Sequence, residues 1–241
     1  MNKTRWGRCI YESASGYQVY QNWLYRWLKF NSTAIQTLQY RRNPWKHGLH
    51  YLPMLTLTMR YFPGDGTLLG LGGGGIPWLL SKAAPQKNIT AIEISAEVIK
   101  IAQTYFGTSE LKNLTVIEAN AADFVQEHPE QCSHILVDLY NAHHFPPECC
   151  TEVFFQNCSR LISSRGVLTV NLANISEQKP ILELIKNYCR QVLLIPIKRS
   201  VNLVLIAGNF ANHELFYNQL LQTKEIKKIS WVQDWGFVGS Y

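Results

Sequence analysis

Residues 67–75 read Thr-Leu-Leu-Gly-Leu-Gly-Gly-Gly-Gly, and this stretch decides the fold. A short apolar run ends in a cluster of glycines, and an apolar segment begins at Ile76, with Pro77 tolerated in the first turn of a helix. Glycine has no Cβ, so the chain can turn tightly there and a ligand can lie against the backbone. The stretch predicts a strand, a glycine turn and a helix, as in nucleotide-binding α/β folds. An ordinary tight connection is the alternative interpretation.

Outward from this turn, short apolar runs alternate with segments of helical length. This alternation predicts parallel strands joined by right-handed crossovers. Only residues 197–200 join the last two strands, which must therefore be antiparallel. We expect an α/β fold of the class I methyltransferase-like type, with a doubly wound, mostly parallel sheet and an antiparallel last strand. The predicted strands are 67–71, 89–94, 114–118, 134–139, 166–172, 192–196 and 201–207, and the predicted helices are 76–82, 96–106, 122–127, 150–161, 178–189 and 212–221.

The first 62 residues have a different character. They read as β-hairpin material and predict a small β-rich domain, and we expect residues 63–241 to form a separate methyltransferase-like domain that binds a nucleoside cofactor. Residues 1–60 carry nine Lys and Arg against one acid, within a chain of net charge +6. Such a basic segment with interleaved aromatics could meet nucleic acid, anionic lipid or an acidic protein. Because no nucleic-acid motif accompanies it, we expect a solvated sheet and no nucleic-acid partner.

The six cysteines show no paired spacing, and charged residues interrupt the first 30 positions. We therefore expect reduced thiols, no secretory leader and a cytoplasmic protein. The longest apolar runs have the length of strands, so we expect no membrane span. His143 and His144 with Cys149 and Cys150 are metal-capable types, but adjacent pairs do not match tetrahedral zinc spacings, and we expect no metal.

Polar side chains follow the predicted strands at the edge where α/β sheets bind ligands. Glu93 ends the second strand and could accept hydrogen bonds from ribose hydroxyls, or be a solvated acid. Asn120 follows the third strand and could reach an adenine edge, although Asp123 is an equal candidate. Asp138 follows the fourth strand and could hold or deprotonate a nucleophile, or cap a loop.

These residues resemble the spermidine synthase family. The resemblance rests on residues 68–75, 91–94, 116–124 and 134–138, and on 146–155 with its Pro-Pro and Thr-x-x-Phe-Phe. It implies an amino-terminal β-domain, a methyltransferase-like domain and a homo-oligomer, commonly a dimer. It also implies transfer of an aminopropyl group from decarboxylated S-adenosylmethionine to a small-molecule amine.

The resemblance also implies the roles of individual residues. Asp138 is the catalytic acid or base, Glu93 holds the ribose and Asn120 faces the adenine. The remaining implied positions are Gly72, Gly73, Gly74, Gly75 and Gln36 for the cofactor, and Tyr51, Tyr140 and Asn141 for the substrate.

Three departures from the family pattern bear on the substrate. Gly75 stands where family enzymes carry an Asp, Ile76-Pro77 replaces a Gly-Gly pair, and Asn141 replaces a second acid. The loss of two anions argues against putrescine as acceptor, because an amine–carboxylate pair at ~4 Å contributes up to ~4 kcal/mol at an effective dielectric of 20. Gly75 would not repel the carboxylate of intact S-adenosylmethionine. An S-adenosylmethionine-dependent methyltransferase is therefore one alternative, and a non-catalytic nucleoside-binding or assembly module is another.

Overall fold

The computed structural model describes residues 4–30, 32–140 and 144–241. Its first part is an antiparallel sheet of four strands in the order β1-β2-β3-β4. Short turns join β1 to β2 and β2 to β3, and the backbone amides of Leu24 and Tyr25 donate to Asn22 Oδ1 in the second of them. The strands are β1 (Arg8–Glu12), β2 (Tyr17–Gln21), β3 (Tyr25–Phe30) and β4 (Thr37–Tyr40).

Two short helices follow where the sequence predicted only strands. They are α1 (Leu52–Leu55) and α2 (Leu57–Tyr61), which the sequence did not predict, whereas the expected β-rich amino-terminal part is confirmed by the four-stranded sheet. Their buried side chains include Leu55, Leu57 and Met59, which join the core of the large sheet. The sequence did not predict these helices because segments of four and five residues are too short to show a helical period. Their stability depends on packing against the distant sheet.

The remaining strands form one sheet of nine in the order β12-β13-β10-β11-β9-β8-β5-β6-β7. The pairs β5·β6, β5·β8, β6·β7 and β8·β9 are parallel, whereas β11 runs antiparallel to both β9 and β10. The expected doubly wound, mostly parallel sheet is confirmed. The elements are β5 (Gly66–Leu69), α3 (Gly75–Ala83), β6 (Ile89–Glu93), α4 (Ala96–Phe106), β7 (Leu114–Glu118), α5 (Ala121–Glu127), β8 (Cys132–Val137), α6 (Glu152–Leu161), β9 (Ile162–Leu172), α7 (Ile175–Tyr188), β10 (Gln191–Pro196), β11 (Leu203–Gly208), α8 (His213–Gln222), β12 (Lys228–Val232) and β13 (Gly236–Ser240).

A carboxy-terminal hairpin extends the sheet beyond the strands that the sequence predicted. Its strands β12 and β13 are antiparallel to each other, and β13 pairs in parallel with β10. The turn between them places Asp234 (φ 65°) and Gly236 (φ 98°) in the left-handed region. Half of its side chains are exposed, including Trp231 at 69%, so the hairpin lacks the continuous apolar runs of the inner strands.

The core lies on both faces of the large sheet. Adjacent residues of β5 show this, because Leu68 packs with α1, α2, α3 and α8 on one face and Leu69 with α5, α6 and α7 on the other. Strands that are buried on both faces carry consecutive apolar residues, as β5 does at Leu68–Leu69 and β8 at Ile135–Val137. Helices therefore pack on both faces of the sheet and hold the inner strands in place.

All six cysteines are free thiols. Burial raises the pKa of the Cys149 thiol to about 12 and that of Cys189 to about 11. No helix in the described part of the chain has the length and apolar character that a membrane crossing requires.

His134 is a buried histidine in β8, at the end of the sheet opposite the glycine turn. Its Nε2 lies 3.0 Å from the carbonyl oxygen of Pro63, so this nitrogen carries the proton and donates it. Its Nδ1 is buried and has no hydrogen-bond partner among the described residues. Burial, together with the nearby Lys87 ammonium, lowers the pKa of His134 from 6.5 to about 4.

We expect this histidine to make the folded protein less stable in mild acid. Between pH 6.5 and pH 4 the unfolded chain binds a proton at His134 that the folded chain does not, so the free energy of unfolding falls by up to about 3 kcal/mol as the pH falls. Urea titrations across this range should show a smaller decline for His134→Gln. His213→Gln, at an exposed histidine, is the control and should show the same decline as wild type. If the free energy of unfolding of His134→Gln also declined as it does in wild type, the assignment to His134 would be contradicted.

Candidate active site

The candidate site lies along the edge where the parallel strands of the large sheet end. Polar groups lie along this edge, one after another, from β11 through β9, β8, β5 and β6 to β7. Asn202 precedes β11, Asn171 lies near the end of β9, and Asp138 follows β8. The glycine turn follows β5, and Glu93 and Asn120 lie at the ends of β6 and β7, respectively. The sheet brings these residues together at the edge where open α/β sheets bind ligands, although Gly70 and Asn202 are 132 positions apart in the chain.

A cleft of about 550 Å³ runs along this edge. The sheet ends form its floor, and the amino-terminal sheet supplies one wall through Tyr17, Phe30 and Gln36. His50 and Tyr51, just before and at the start of α1, also line it. The volume is within the range of small-molecule sites.

The glycine turn contributes two of its four predicted residues to the cleft. Gly72 and Gly75 line it. The Gly73 amide instead donates to Thr37 Oγ1 at 2.8 Å, and a Cβ on Gly74 would meet the Thr108 side chain at 2.2 Å. Gly73 and Gly74 therefore serve the packing of the turn against its neighbours, and Gly72 (φ 53°) presents backbone to a ligand.

Glu93 bridges the glycine turn and the helix after β6. Its Oε2 accepts hydrogen bonds from the amides of Leu71 at 3.1 Å and Gly72 at 3.4 Å. Its Oε1 accepts from the Ser95 amide at 3.1 Å. A carboxylate has about four acceptor positions, so it can hold the turn and still receive a hydroxyl donor from the cleft.

Asn120 lies on the cleft and also begins α5. Its Oδ1 accepts a hydrogen bond from the Ala122 amide at 2.7 Å, which is a typical N-cap contact. Its Nδ2 is left to donate. Asp123, the equal candidate from sequence, is in the first turn of α5 and does not line the cleft.

Asp138 is held at both of its oxygens. Tyr51 donates its hydroxyl to Oδ2 at 2.9 Å, and Asn171 Nδ2 donates to Oδ1 at 2.8 Å. Burial raises the pKa of Asp138 above its ordinary value, and these two hydrogen bonds oppose that shift. A carboxylate that is fixed in position and has a raised pKa is a stronger proton acceptor than a solvated one.

The hydrogen bonds continue beyond Asp138 to groups that sequence reasoning missed. Asn171 Oδ1 accepts from Asn202 Nδ2 at 2.7 Å, and the Ser200 hydroxyl donates to Asn202 Oδ1. Asn171, Asn202 and Ser200 all line the cleft. Asn171 could have been identified as a polar residue in the mostly apolar second half of β9. Val170 pairs with Val137, so Asn171 lies one position further along, level with Asp138.

The remaining residues predicted for the substrate or the cofactor either line the cleft or lie outside the described residues. Tyr140 lines the cleft, and its hydroxyl accepts a hydrogen bond from the Ala173 amide, while burial raises its pKa well above the ordinary value. Gln36 lines the cleft beside Thr37. Asn141, the remaining predicted residue, lies outside the described residues, as does His143.

Three carboxylates line the cleft in the described part of the chain: Glu93, Asp138 and Glu148. Glu148 is exposed in the 3-10 turn Pro147–Cys149, which packs against α5. A group of His, Cys, Asp or Glu that could hold a metal ion does not occur among the described residues. The site therefore offers backbone amides, hydroxyls and side-chain amides, with one half-buried base at Asp138.

Parts of the chain are similar in sequence to known transferases. A family model described as "Putative methyltransferase" matches residues 68–139. The polyamine aminopropyltransferase of Vibrio vulnificus is 28% identical over 182 residues, which cover 70% of this chain and 60% of that protein. The chain therefore spans less than two thirds of the length of this relative.

Solved structures show the same fold. A spermidine synthase in complex with the transition state analogue AdoDATO superposes with a TM-score of 0.71 at 16% identity, covering 92% of this chain and 79% of that chain. Human methyltransferase-like protein 13 in complex with SAH gives a TM-score of 0.58 at 20% identity, covering 76% of this chain and 93% of that chain. In sequence the chain is similar to the polyamine aminopropyltransferases, and its fold is that of spermidine synthases with a methyltransferase-like main domain.

Proposed function

We propose that this protein transfers an aminopropyl group from decarboxylated S-adenosylmethionine to a small amine. The observation that carries the proposal is Asp138, which is half-buried beside the glycine turn and held by Tyr51 and Asn171, with Glu93 on the other side of the turn. The similarity to the Vibrio vulnificus aminopropyltransferase supports the reaction type.

The residues divide the proposed reaction between binding and proton transfer. Glu93 and Asn120 would bind the nucleoside at the β6 and β7 end, and the backbone at Gly72 would lie against it. An ammonium with a pKa near ~10 must lose its proton before it can attack carbon. Asp138 would attract the ammonium and accept that proton.

The bonds balance with no further reactant. The amine nitrogen bonds to the propyl carbon, the carbon–sulfur bond breaks, and its electron pair stays on sulfur to give methylthioadenosine. A sulfonium leaves as a neutral thioether and needs no acid, so the chain contributes chiefly the positioning of the two substrates and the single base.

Methyl transfer from S-adenosylmethionine is the second candidate. Gly75, the first residue of α3, lines the cleft and carries neither side chain nor charge. The carboxylate of S-adenosylmethionine would meet no repulsion there, and the helix amino terminus favours an anion. The family-model match and the human methyltransferase-like neighbour support the same cofactor class.

Assembly as a homo-oligomer in the cytoplasm is part of the first proposal. The amino-terminal part exposes two large indoles, Trp6 at 85% and Trp23 at 77%. Exposed aromatic side chains of this size are enriched at protein interfaces.

We expect variants at the two strand ends to separate binding from chemistry. Asp138→Asn should lower kcat by about 100-fold or more and leave the Kd for methylthioadenosine unchanged, because the base is lost and the nucleoside contacts remain. Glu93→Gln should raise that Kd by about tenfold, because a charged acceptor becomes a neutral one. Calorimetry and steady-state kinetics measure the two effects.

Glu118→Gln is the matched control, because Glu118 pairs with Glu93 in register at the end of β7 but is exposed outside the cleft. A Glu93→Gln protein that binds the nucleoside as wild type does would refute the ribose assignment. Full activity in Asp138→Asn would refute the base.

The pH dependence of kcat/KM should report Asp138 directly. Because the ionised carboxylate accepts the proton, kcat/KM rises with pH through the raised pKa of Asp138. Tyr51→Phe removes a donor that lowers this pKa, so the acid limb should move to higher pH. Tyr61→Phe removes a hydroxyl–carboxylate contact with Glu225 outside the cleft and should leave the limb in place. An acid limb that does not move in Tyr51→Phe would exclude Asp138 as the titrating group.

The choice between the two cofactors depends on Gly75. A Cβ at this position would lie 3.4 Å from Leu52, an ordinary contact, so a side chain fits. Gly75→Asp should weaken the binding of S-adenosylmethionine by about tenfold, or ~1.4 kcal/mol, relative to the binding of decarboxylated S-adenosylmethionine. Gly75→Asn has the same shape without charge and should change both affinities alike. If wild type strongly prefers the decarboxylated form, Gly75 does not confer tolerance of the carboxylate.

A further inference from the structure

The acceptor end of the cleft, from Asp138 towards β11, consists of neutral hydrogen-bonding groups. Asn171 and Asn202 contribute amides, and Ser200 contributes a hydroxyl. With strands about 4.8 Å apart, β9 lies one spacing and β11 two spacings from β8, or about 5 and 10 Å. An amine whose nitrogen lies at Asp138 would therefore place the far end of a short chain among these groups.

Among the described residues, no carboxylate that lines the cleft lies at that far end. The nearby Glu177 of α7 does not line the cleft, and its two oxygens are bound by His144 Nδ1 and the Phe145 amide. Every Asp and Glu of the chain lies within the described ranges, because the other residues are Met, Asn, Lys, Ala and His. Of the three that line the cleft, Asp138 is the proposed base and Glu93 lies on the other side of the glycine turn, bound to its amides. Glu148 is in the turn that packs against α5, at the nucleoside end.

The loop beside the acceptor end supplies no carboxylate either. Residues 197–202, between β10 and β11, include Ser200 but no Asp or Glu, and the Lys198 ammonium of this loop donates to the Tyr241 backbone oxygen. A second ammonium would find no anion there to offset its loss of water. A hydroxyl or an amide would lose less on leaving water and could donate to and accept from Asn202 and Ser200.

We propose that the acceptor is an amine whose far end carries a neutral hydroxyl or amide group rather than a second ammonium. This assignment rests on the proposed function, because it takes Asp138 as the position of the reacting amine. The amide pair Asn171–Asn202 then acts as a specificity determinant, and the site selects against the diamines that the family resemblance implies.

The test compares two acceptors of equal length, 4-aminobutan-1-ol and 1,4-diaminobutane. Each is titrated by calorimetry into the protein saturated with methylthioadenosine. We expect the amino alcohol to bind at least about tenfold more tightly. Equal affinities, tighter binding of the diamine, or no binding of either would overturn the inference.

An isosteric variant tests whether this end of the cleft sets the preference. Asn202→Asp places a carboxylate at the acceptor end and should reverse the ratio of affinities in favour of the diamine. Wild type is its neutral counterpart, and an unchanged Kd for methylthioadenosine shows that the variant is folded. If the variant does not fold, Ser200→Asp at the exposed loop position replaces it. A ratio that neither carboxylate changes would overturn the role of Asn202 and Ser200.

Turnover distinguishes this inference from the proposed function. If the amino alcohol binds selectively but yields no product with decarboxylated S-adenosylmethionine, aminopropyl transfer is refuted and the acceptor class stands. If the diamine is the tighter ligand and is converted, the proposed function stands and the acceptor class is overturned.

Discussion

The close approach of two strand ends determines the geometry of the site. A Cβ on Gly70 would lie 2.4 Å from the backbone oxygen of Asp138, and Gly70 has a φ of 93°. No other residue type fits both conditions without strain. Because of this contact, β5 and β8 end side by side, and the Asp138 carboxylate lies next to the turn that would receive a nucleoside. Any shift between these strands would separate the proposed base from the proposed cofactor.

Two of the three carboxylates of the cleft, Glu93 and Asp138, are held by neutral hydrogen-bond donors. Glu93 accepts three backbone amides, and Asp138 accepts a phenol and an amide. Neutral donors stabilise an ionised carboxylate without neutralising it. Asp138 therefore keeps its attraction for a cationic amine, whereas a Lys or Arg partner would cancel it. The site achieves a strong local charge with a small number of acids.

The sequence predicted the parts of the structure that have a local cause. The runs of β5 and β8, the glycine turn and the positions of Glu93 and Asp138 follow from apolar period and strand ends. The helices α1 and α2, the hairpin β12–β13 and the chain Asp138–Asn171–Asn202 depend on contacts between segments far apart. Asn202 differs little from any loop asparagine in sequence, and only the antiparallel pairing of β11 with β9 brings it to Asn171. The boundary at residue 62 and the roles of the site residues stay predictions.

The basic amino-terminal segment has a structural use that its charge alone did not reveal. The last carbonyls of a helix lack intrahelical partners and carry partial negative charge. At the end of α4, Arg26 donates to the Tyr105 carbonyl, and Gln39 Nε2 donates to the Phe106 carbonyl at 3.1 Å.

Both donors come from the amino-terminal sheet, which is thereby fastened to the helix that follows Glu93. The same contacts position Thr37, which lies two residues before Gln39 on β4, so that its hydroxyl accepts from the Gly73 amide. Arg26, one of the nine cations of residues 1–60, thus helps to anchor the wall of the cleft to its floor.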